Sequence, residues 1–407
     1  MIVRDEPASP PELTEIIAET RRQIEAEHTP PRLHRDAHPK MHGCVQARLT
    51  LHPDCPDTLQ QGVFASVPDT GYKAWVRYSN AFRIQHDLEI ETRGMAVKLL
   101  DVTGTPLPEA ERIEVRDTPS YTQDFLFATH DAFFLPNPSE YLDFLKCVRR
   151  ASSGTFAFYR DRFPRLWSGF VALVVSQVKG ATPNPLSLTY FSQTPYRLGG
   201  NIVKLRMRPA DPPRLRWYLR LGFLLILLLA NIVFFVLEPI TKRGKAWAER
   251  FCDYHFVNRD FLRLAMIDTL AVRDMTFVLE AQEWNTIGDA DLNNACLRWD
   301  ESAHPFKPVA TLRIPSQTFW PQSGLPRKMF EATSDLVSLG ENMSFNPWHG
   351  LIDHEPLGSI NTARRWVYRD IARFRRDANH IDAAAMPGVQ HRSWDRLQPY
   401  IQSGNVT

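Results

Sequence analysis

From about Arg35 to Val102 apolar and polar residues alternate in short runs. HGCVQARLTLHP, YKAWVRYSN and TRGMAVKLLDV each read as strands, separated by Gly, Pro, Asp and Asn. QDFLFATHDAFFLP reads as a buried strand running into a turn, and SEYLDFLKCVRRA as a helix. Strand patterns return in LTYFSQTPYRLGGNIVKLRMRP, MTFVLEAQEW and FKPVATLRIPSQTF. Ahead of them, Ser9 offers a capping hydroxyl, Pro10 and Pro11 suit a first helical turn, and Glu12 closes a capping box. Leu13, Ile16, Ile17 and Ile24 then give an amphipathic arm within 1–30. The segment from Ile360 to Asn379 is again helical in pattern. Strands along most of the chain, with helices before, between and after, predict an α+β protein built on an antiparallel sheet or barrel.

One segment breaks this texture. Leu221 to Leu237 holds fifteen apolar residues out of seventeen, interrupted only by Gly222 and Asn231. As a helix it rises about 25 Å, a little under the ~30 Å hydrocarbon core of a bilayer. Arg214, Arg216 and Arg220 precede it, and Lys242, Arg243 and Lys245 follow. This insertion, 211–258, divides a barrel of 31–210 and 259–330, and a helical segment, 331–407, closes the chain. A weaker apolar run, Leu166 to Val178, is too short to pair with it as a second crossing.

Composition narrows the function. With 43% apolar and 23% charged residues the 407-residue chain is globular rather than disordered. Lys+Arg at 48 against Asp+Glu at 46 leaves +2, which excludes a general nucleic-acid footprint. Cysteines 44, 55, 147, 252 and 296 form no CxxC pair, so zinc and a disulfide scaffold are not expected. The opening MIVRDEPASPP lacks the apolar stretch of a signal peptide, and a cytoplasmic-side location is expected.

HPKMHGCVQARLTL, VRYSNAF, TRGMAVKLLD and DAFFLPNPSEYLDFL, then FNPW near Phe345 and RRWVYRDIARFRR, occur in a telling order. In that order and spacing the chain resembles haem-dependent catalases and their smaller relatives, over roughly Arg32 to Arg376 apart from the insertion. The resemblance implies a catalase-like antiparallel β-barrel, with haem b held between barrel and carboxyl-terminal helix.

Arg364, Tyr368 and Arg375 fall at i, i+4 and i+11, near one face of a helix. Catalase-type iron is held by a tyrosine oxygen. A phenol of pKa ~10 binds as phenolate only with help from the metal and a nearby cation. The resemblance makes Tyr368 that metal ligand, with Arg364 as the cation and Arg375 on a haem propionate. It also implies Arg35 and Arg77 on the propionates, and Phe134 and Tyr141 against the haem. On the distal side it assigns His38, with Ser79 fixing its tautomer. An imidazole can take a proton from one peroxide oxygen and return it to the other. Pro39 and Met41 depart from the family's Ala and Gly. His34 and His42 read as structural or surface residues.

The family's distal asparagine, placed from Phe133 and Phe134, falls at Ala128 or Thr129. Neither is an amide. Thr129 is the expected substitute donor, with the adjacent His130 as an alternative. This departure favours a peroxidase, with weak catalase activity, acting on hydrogen peroxide or organic (including lipid) hydroperoxides with an unidentified electron donor. The alternatives are a fatty-acid hydroperoxide isomerase or lyase, as in allene-oxide-forming relatives, and a haem-binding protein without turnover. His38 precedes the insertion and Tyr368 follows it, yet both must face one iron. The insertion is therefore expected to dip into a membrane surface as a monotopic hairpin rather than cross. A homo-oligomer interface or a core helix is the other reading.

Overall fold

The computed structural model describes residues 11–28, 33–81, 83–113, 119–150, 154–213, 217–237, 242–382 and 385–402. Ser9 and its cap, Arg214 and Arg216 lie outside them. The strands are β1 (Met41–Leu51), β2 (Tyr72–Asn80), β3 (Arg93–Val102), β4 (Arg112–Ile113) and β5 (Ser120–Ala128). They continue as β6 (Tyr190–Phe191), β7 (Tyr196–Leu198), β8 (Asn201–Pro209), β9 (Met275–Glu283) and β10 (Phe306–Ile314). The first helices are α1 (Pro11–Glu27), α2 (Pro138–Arg150), α3 (Gly154–Arg160), α4 (Trp167–Gly180) and α5 (Trp217–Leu237). Then come α6 (Lys242–His255), α7 (Phe261–Val272), α8 (Asp289–Leu292), α9 (Arg327–Asn342), α10 (Ser359–Ala378) and α11 (Met386–Ile401).

The strands pair in the order β3-β2-β1-β10-β9-β8-β6-β5, and β3 closes the ring onto β5, with Gly94 opposite Ala128. β4 and β7 are appended to β5 and β8. The result is the expected α+β architecture, a closed antiparallel barrel with helical additions. Eight of the eleven β1 positions are buried and none is exposed, because helices cover the barrel where an open sheet would meet water. α9 crosses β1 so closely that a Cβ on Gly340 would stand 2.6 Å from Cys44 Cβ. α11 is pinned by two indoles: Trp75 Nε1 donates to Gln390 O, and Trp394 Nε1 to Ala74 O. The amino-terminal arm packs Leu13, Ile16 and Ile17 against Leu142 of α2 and Ala363 and Trp366 of α10. It buttresses the helix that carries Tyr368.

The insertion leaves and rejoins one edge of the sheet. Pro209 of β8 pairs with Phe277 of β9, and Ala210 N donates to Thr276 O at 2.8 Å. The chain therefore leaves the barrel before α5 and returns to it after α7 at neighbouring strand ends. Leu227 and Ala230 of α5 pack against Leu88 and against Ala248 and Cys252 of α6. Asn231, the polar interruption, donates Nδ2 to Leu88 O at 3.0 Å. The opposite face, including Leu221, Leu224, Leu225 and Leu228, is exposed, so α5 is not a core helix. Among the described residues no helix is long and apolar enough to cross a membrane.

Candidate functional site

His38 precedes β1 with φ 62°, a left-handed backbone that non-glycine residues adopt only under constraint. β2 supplies the constraint. His38 N donates to Ala81 O at 2.8 Å just beyond β2, and its carbonyl accepts from Arg77 Nη1 at 3.0 Å. Nδ1 meets Ser79 Oγ at 3.0 Å. Burial first, then Arg77, Arg364 and Arg35, pushes its pKa down to about 3, so the ring is neutral, with one nitrogen a donor and the other an acceptor. β3 approaches it through Gly94, where a Cβ would stand 2.3 Å from His38 ring atoms. Gly94→Ala is therefore expected to fold but displace the imidazole, moving the His38 ring resonances from their wild-type positions. Unshifted His38 ring resonances in that variant would count against this placement.

Tyr368 and Arg364 face His38 from α10. Arg364 Nη2 donates to Tyr368 OH at 3.3 Å, and Nη1 to Asn361 Oδ1 at 3.2 Å. Asn361, wholly buried, also accepts from Thr194 Oγ1 at 3.0 Å and donates Nδ2 to Pro195 O. The guanidinium is thereby aimed at the phenol. Sequence reasoning missed Asn361 and Thr194. Asn361 was findable, three residues before Arg364 on the same helix face.

Arg35, Arg77 and Arg375 gather beside the carboxyl end of α9. Arg35 Nη2 donates to the carbonyls of Gly340, Glu341 and Met343, and Arg375 Nη1 to Glu341 O at 2.7 Å. Arg77 Nη2 stands 3.6 Å from Glu341 Oε2. Even so, Arg35 Nε and Arg77 Nε and Nη2 are buried without hydrogen-bond partners. Burial first, then Arg77 and Arg375, lowers the Arg35 pKa well below its ordinary value. Burial and Arg376 push Arg375 down to about 10. Guanidinium groups stay charged at any physiological pH, so spare buried donors here suit carboxylates.

A cavity of about 510 Å³ lies between the two sides, with His38, Ala128, Phe133, Phe134, Tyr141 and Tyr368 among its walls. A recess of about 70 Å³ adjoins it, reaching Arg35, Arg77 and Ser79. Arg375 lines neither space and joins the cluster through Glu341 and Arg77. Gln193 (φ 63°) lines both, but its Nε2 donates to Ala132 O.

Thr129, the distal donor expected from the sequence, is turned away from both spaces. Its Oγ1 donates to Ser176 O at 2.9 Å, tying the end of β5 to α4, and it lines neither space. Ala128, last in the strand, occupies the wall instead. His130 also lines neither space, and its Nδ1 is held by the backbone of Ala132. His42 is buried with Nε2 2.7 Å from Asn80 Oδ1, a structural role.

His38, His42 and His354 are each pushed down to about 3, burial being the first cause in all three. Their unfolded value is ~6.5. The unfolded chain thus binds more protons between these limits, so their stabilisation is complete above ~6.5 and is lost as pH falls toward ~3. The thermal midpoint is expected to drop steadily from about pH 7 to about pH 4. A flat profile over that range contradicts neutral burial of these imidazoles.

The residues fit a haem: a phenol backed by a cation, a neutral imidazole opposite, aromatic walls, and orphaned guanidinium donors for two carboxylates. No protein-family model matches the chain, and no curated protein matches it in sequence. Among solved structures it is similar to a fungal catalase, with TM-score 0.57 and 14% identity over 95% of this chain and 66% of that one. It is similar also to catalase A from Saccharomyces cerevisiae, with TM-score 0.55 and 13% identity over 92% of this chain and 67% of that one. A bacterial catalase gives TM-score 0.54 and 13% identity over 95% and 65%. The fold is thus catalase-like, and the chain spans about two thirds of the length of these catalases.

Proposed function

We propose that this catalase-like chain is a haem-dependent oxidoreductase acting on peroxides, with peroxidation of organic hydroperoxides favoured over catalase turnover. What carries the reading is the Arg364–Tyr368 pair facing the His38–Ser79 pair across one cavity flanked by unsatisfied arginines. Haem b, when bound, would supply the redox-active iron. Tyr368 would hold that iron through its phenolic oxygen, with Arg364 favouring the phenolate. Arg35 and Arg77 would receive the propionates, with Arg375 behind them. Ser79 occupies His38 Nδ1, leaving Nε2 to take a proton from one peroxide oxygen and return it to the other. Ala128 offers a methyl group where an amide would orient hydrogen peroxide, which leaves space for a larger substrate. Phe134 and Tyr141 give that space apolar walls.

The same apolar walls favour a second reading, isomerisation or cleavage of a fatty-acid hydroperoxide without external reductant. The optical spectrum of the purified protein tests the haem. Product analysis with a lipid hydroperoxide, with and without an electron donor, separates the two activities. Donor-dependent alcohol means peroxidase; donor-independent rearrangement means isomerase or lyase. A spectrum without a Soret band after haem addition removes both.

Independently of the haem, we infer that α5 lies in the surface of a membrane on its cytoplasmic side, without crossing. Full burial of each exposed leucine is worth about 1.5–3 kcal/mol, and each flanking cation adds about 1 kcal/mol near anionic lipid. The neighbouring ends of β8 and β9 support a dip that returns to the same side.

A further inference from the structure

The large cavity has a second end. From Phe133 and Phe134 it continues beneath α4, past Ala172, Leu173 and Ser176, and reaches half-buried Ile90 and Gln177 and exposed Arg83. Its mouth is framed by the loop 83–92, which both apolar helices grip. Thr92 Oγ1 lies 2.8 Å from Ser176 Oγ of α4, and a Cβ on Gly180 would stand 2.0 Å from Glu91 O. From the other side Asn231 of α5 donates to Leu88 O and accepts from Ile90 N.

α4 is apolar on two faces. Ala172 and Leu173 point inward, while Trp167, Val171, Val174 and Val178 form an exposed stripe at i, i+4, i+7 and i+11, Val178 being 58% exposed. α5 exposes a similar face, with Leu228 at 59%. Ile84, on the loop between them, is exposed too. Apolar surface on this scale marks an interaction site. Over the insertion, 211–258, the sequence carries seven basic residues against four acidic ones.

We propose that α4, the loop 83–92 and α5 form one face that lies on an anionic phospholipid bilayer, and that an acyl-chain hydroperoxide passes from the bilayer through the mouth at Ile90 and Gln177 to the cavity. The charge selects the occupant. A second copy docked through the same patch would bring two sets of basic flanks together, whereas anionic headgroups neutralise them. The apolar stretch of the cavity at Phe133, Phe134, Ala172 and Leu173 takes the chain of the substrate, inside a mouth that Gln85, Glu89 and Glu91 also line. Only the fate of the hydroperoxide group at His38 rests on the haem reading.

The test uses full-length, haem-loaded protein sedimented with vesicles of phosphatidylcholine alone or with added phosphatidylglycerol. Wild type is expected to bind the anionic vesicles, less so at high salt. Val171→Glu, Val174→Glu and Val178→Glu combined are expected to weaken binding about tenfold or more, as is replacement of 219–240 by a Gly-Ser loop. Wild-type-like binding by the α4 variant overturns the shared face. So does a protein that stays with neither vesicle and elutes as a dimer that the α4 variant dissociates, which makes the face a contact between copies. For the passage, calorimetric titration with linoleic acid is expected to show about tenfold weaker binding in Leu173→Trp, with vesicle binding retained. Ala172→Leu is the milder obstruction should the first variant fail to fold. Unchanged linoleic acid affinity in the folded variant overturns the passage. A missing Soret band refutes the haem reading instead and leaves the vesicle results intact.

Discussion

Tyr368→Phe is expected to purify without the high-spin ferric spectrum of the parent protein, even when haem is supplied. The substitution removes the phenolic oxygen while leaving the ring among its neighbours, so folding is retained and the loss reports ligation. It also leaves Arg364 Nη2 without the acceptor that now stands 3.3 Å away. Asn361→Ala acts one step further out, releasing the guanidinium from its 3.2 Å contact. Changes to such outer partners typically lower metal-site affinity or activity by ~10–100-fold, so the Asn361 variant is expected to bind haem more weakly but with a parent-like spectrum. A parent-like spectrum in Tyr368→Phe would place the ligand elsewhere and dismantle the site.

The distal side gives the second large effect. His38→Ala is expected to abolish turnover of every peroxide, a loss of ~10²–10⁴-fold, with haem content unchanged. Ala128→Asn acts in the opposite direction. Ala128 is on the cavity wall at the end of β5, and its partner across the ladder is Gly94, the residue against which His38 rests. An amide there reaches the space above the imidazole, so oxygen evolution from hydrogen peroxide is expected to rise while oxidation of bulky hydroperoxides falls. Thr129→Asn is expected to do neither, because position 129 is turned toward Ser176. Vigorous oxygen evolution from the unmodified protein would show that the missing amide does not limit catalase turnover.

That contrast marks where sequence reasoning stopped. The strands were legible because alternation and Gly, Pro and Asn punctuation agree over β1, β2, β3 and β5. α10 was legible because 3.6-residue spacing stacks Arg364 on Tyr368. Whether 128 or 129 faces the cavity was not, since a one-residue change of register reverses the face and only closure of β3 onto β5 settles it. Gly94 carried an unread signal: a glycine inside a strand pattern marks a close approach. Thr194 could not be found at all, because its partner Asn361 is far away in the chain. For α4 and α5 hydropathy registered apolar length but not which side would be covered. Ala172 lines a cavity and Val171 meets solvent, although neighbouring aliphatic residues look alike in sequence.

The arginine cluster has a consequence outside catalysis. Arg35, Arg77 and Arg375 are buried like charges that share the single Glu341 carboxylate, and Arg35 and Arg77 keep idle donors. Such an arrangement opposes folding. A ligand that binds only the native chain shifts the folding equilibrium by mass action. Under the haem reading the prosthetic group is therefore also a structural counter-ion. Chains made during haem scarcity would be the fraction most exposed to proteolysis, and the cell's level of this protein would follow its haem supply rather than its message alone.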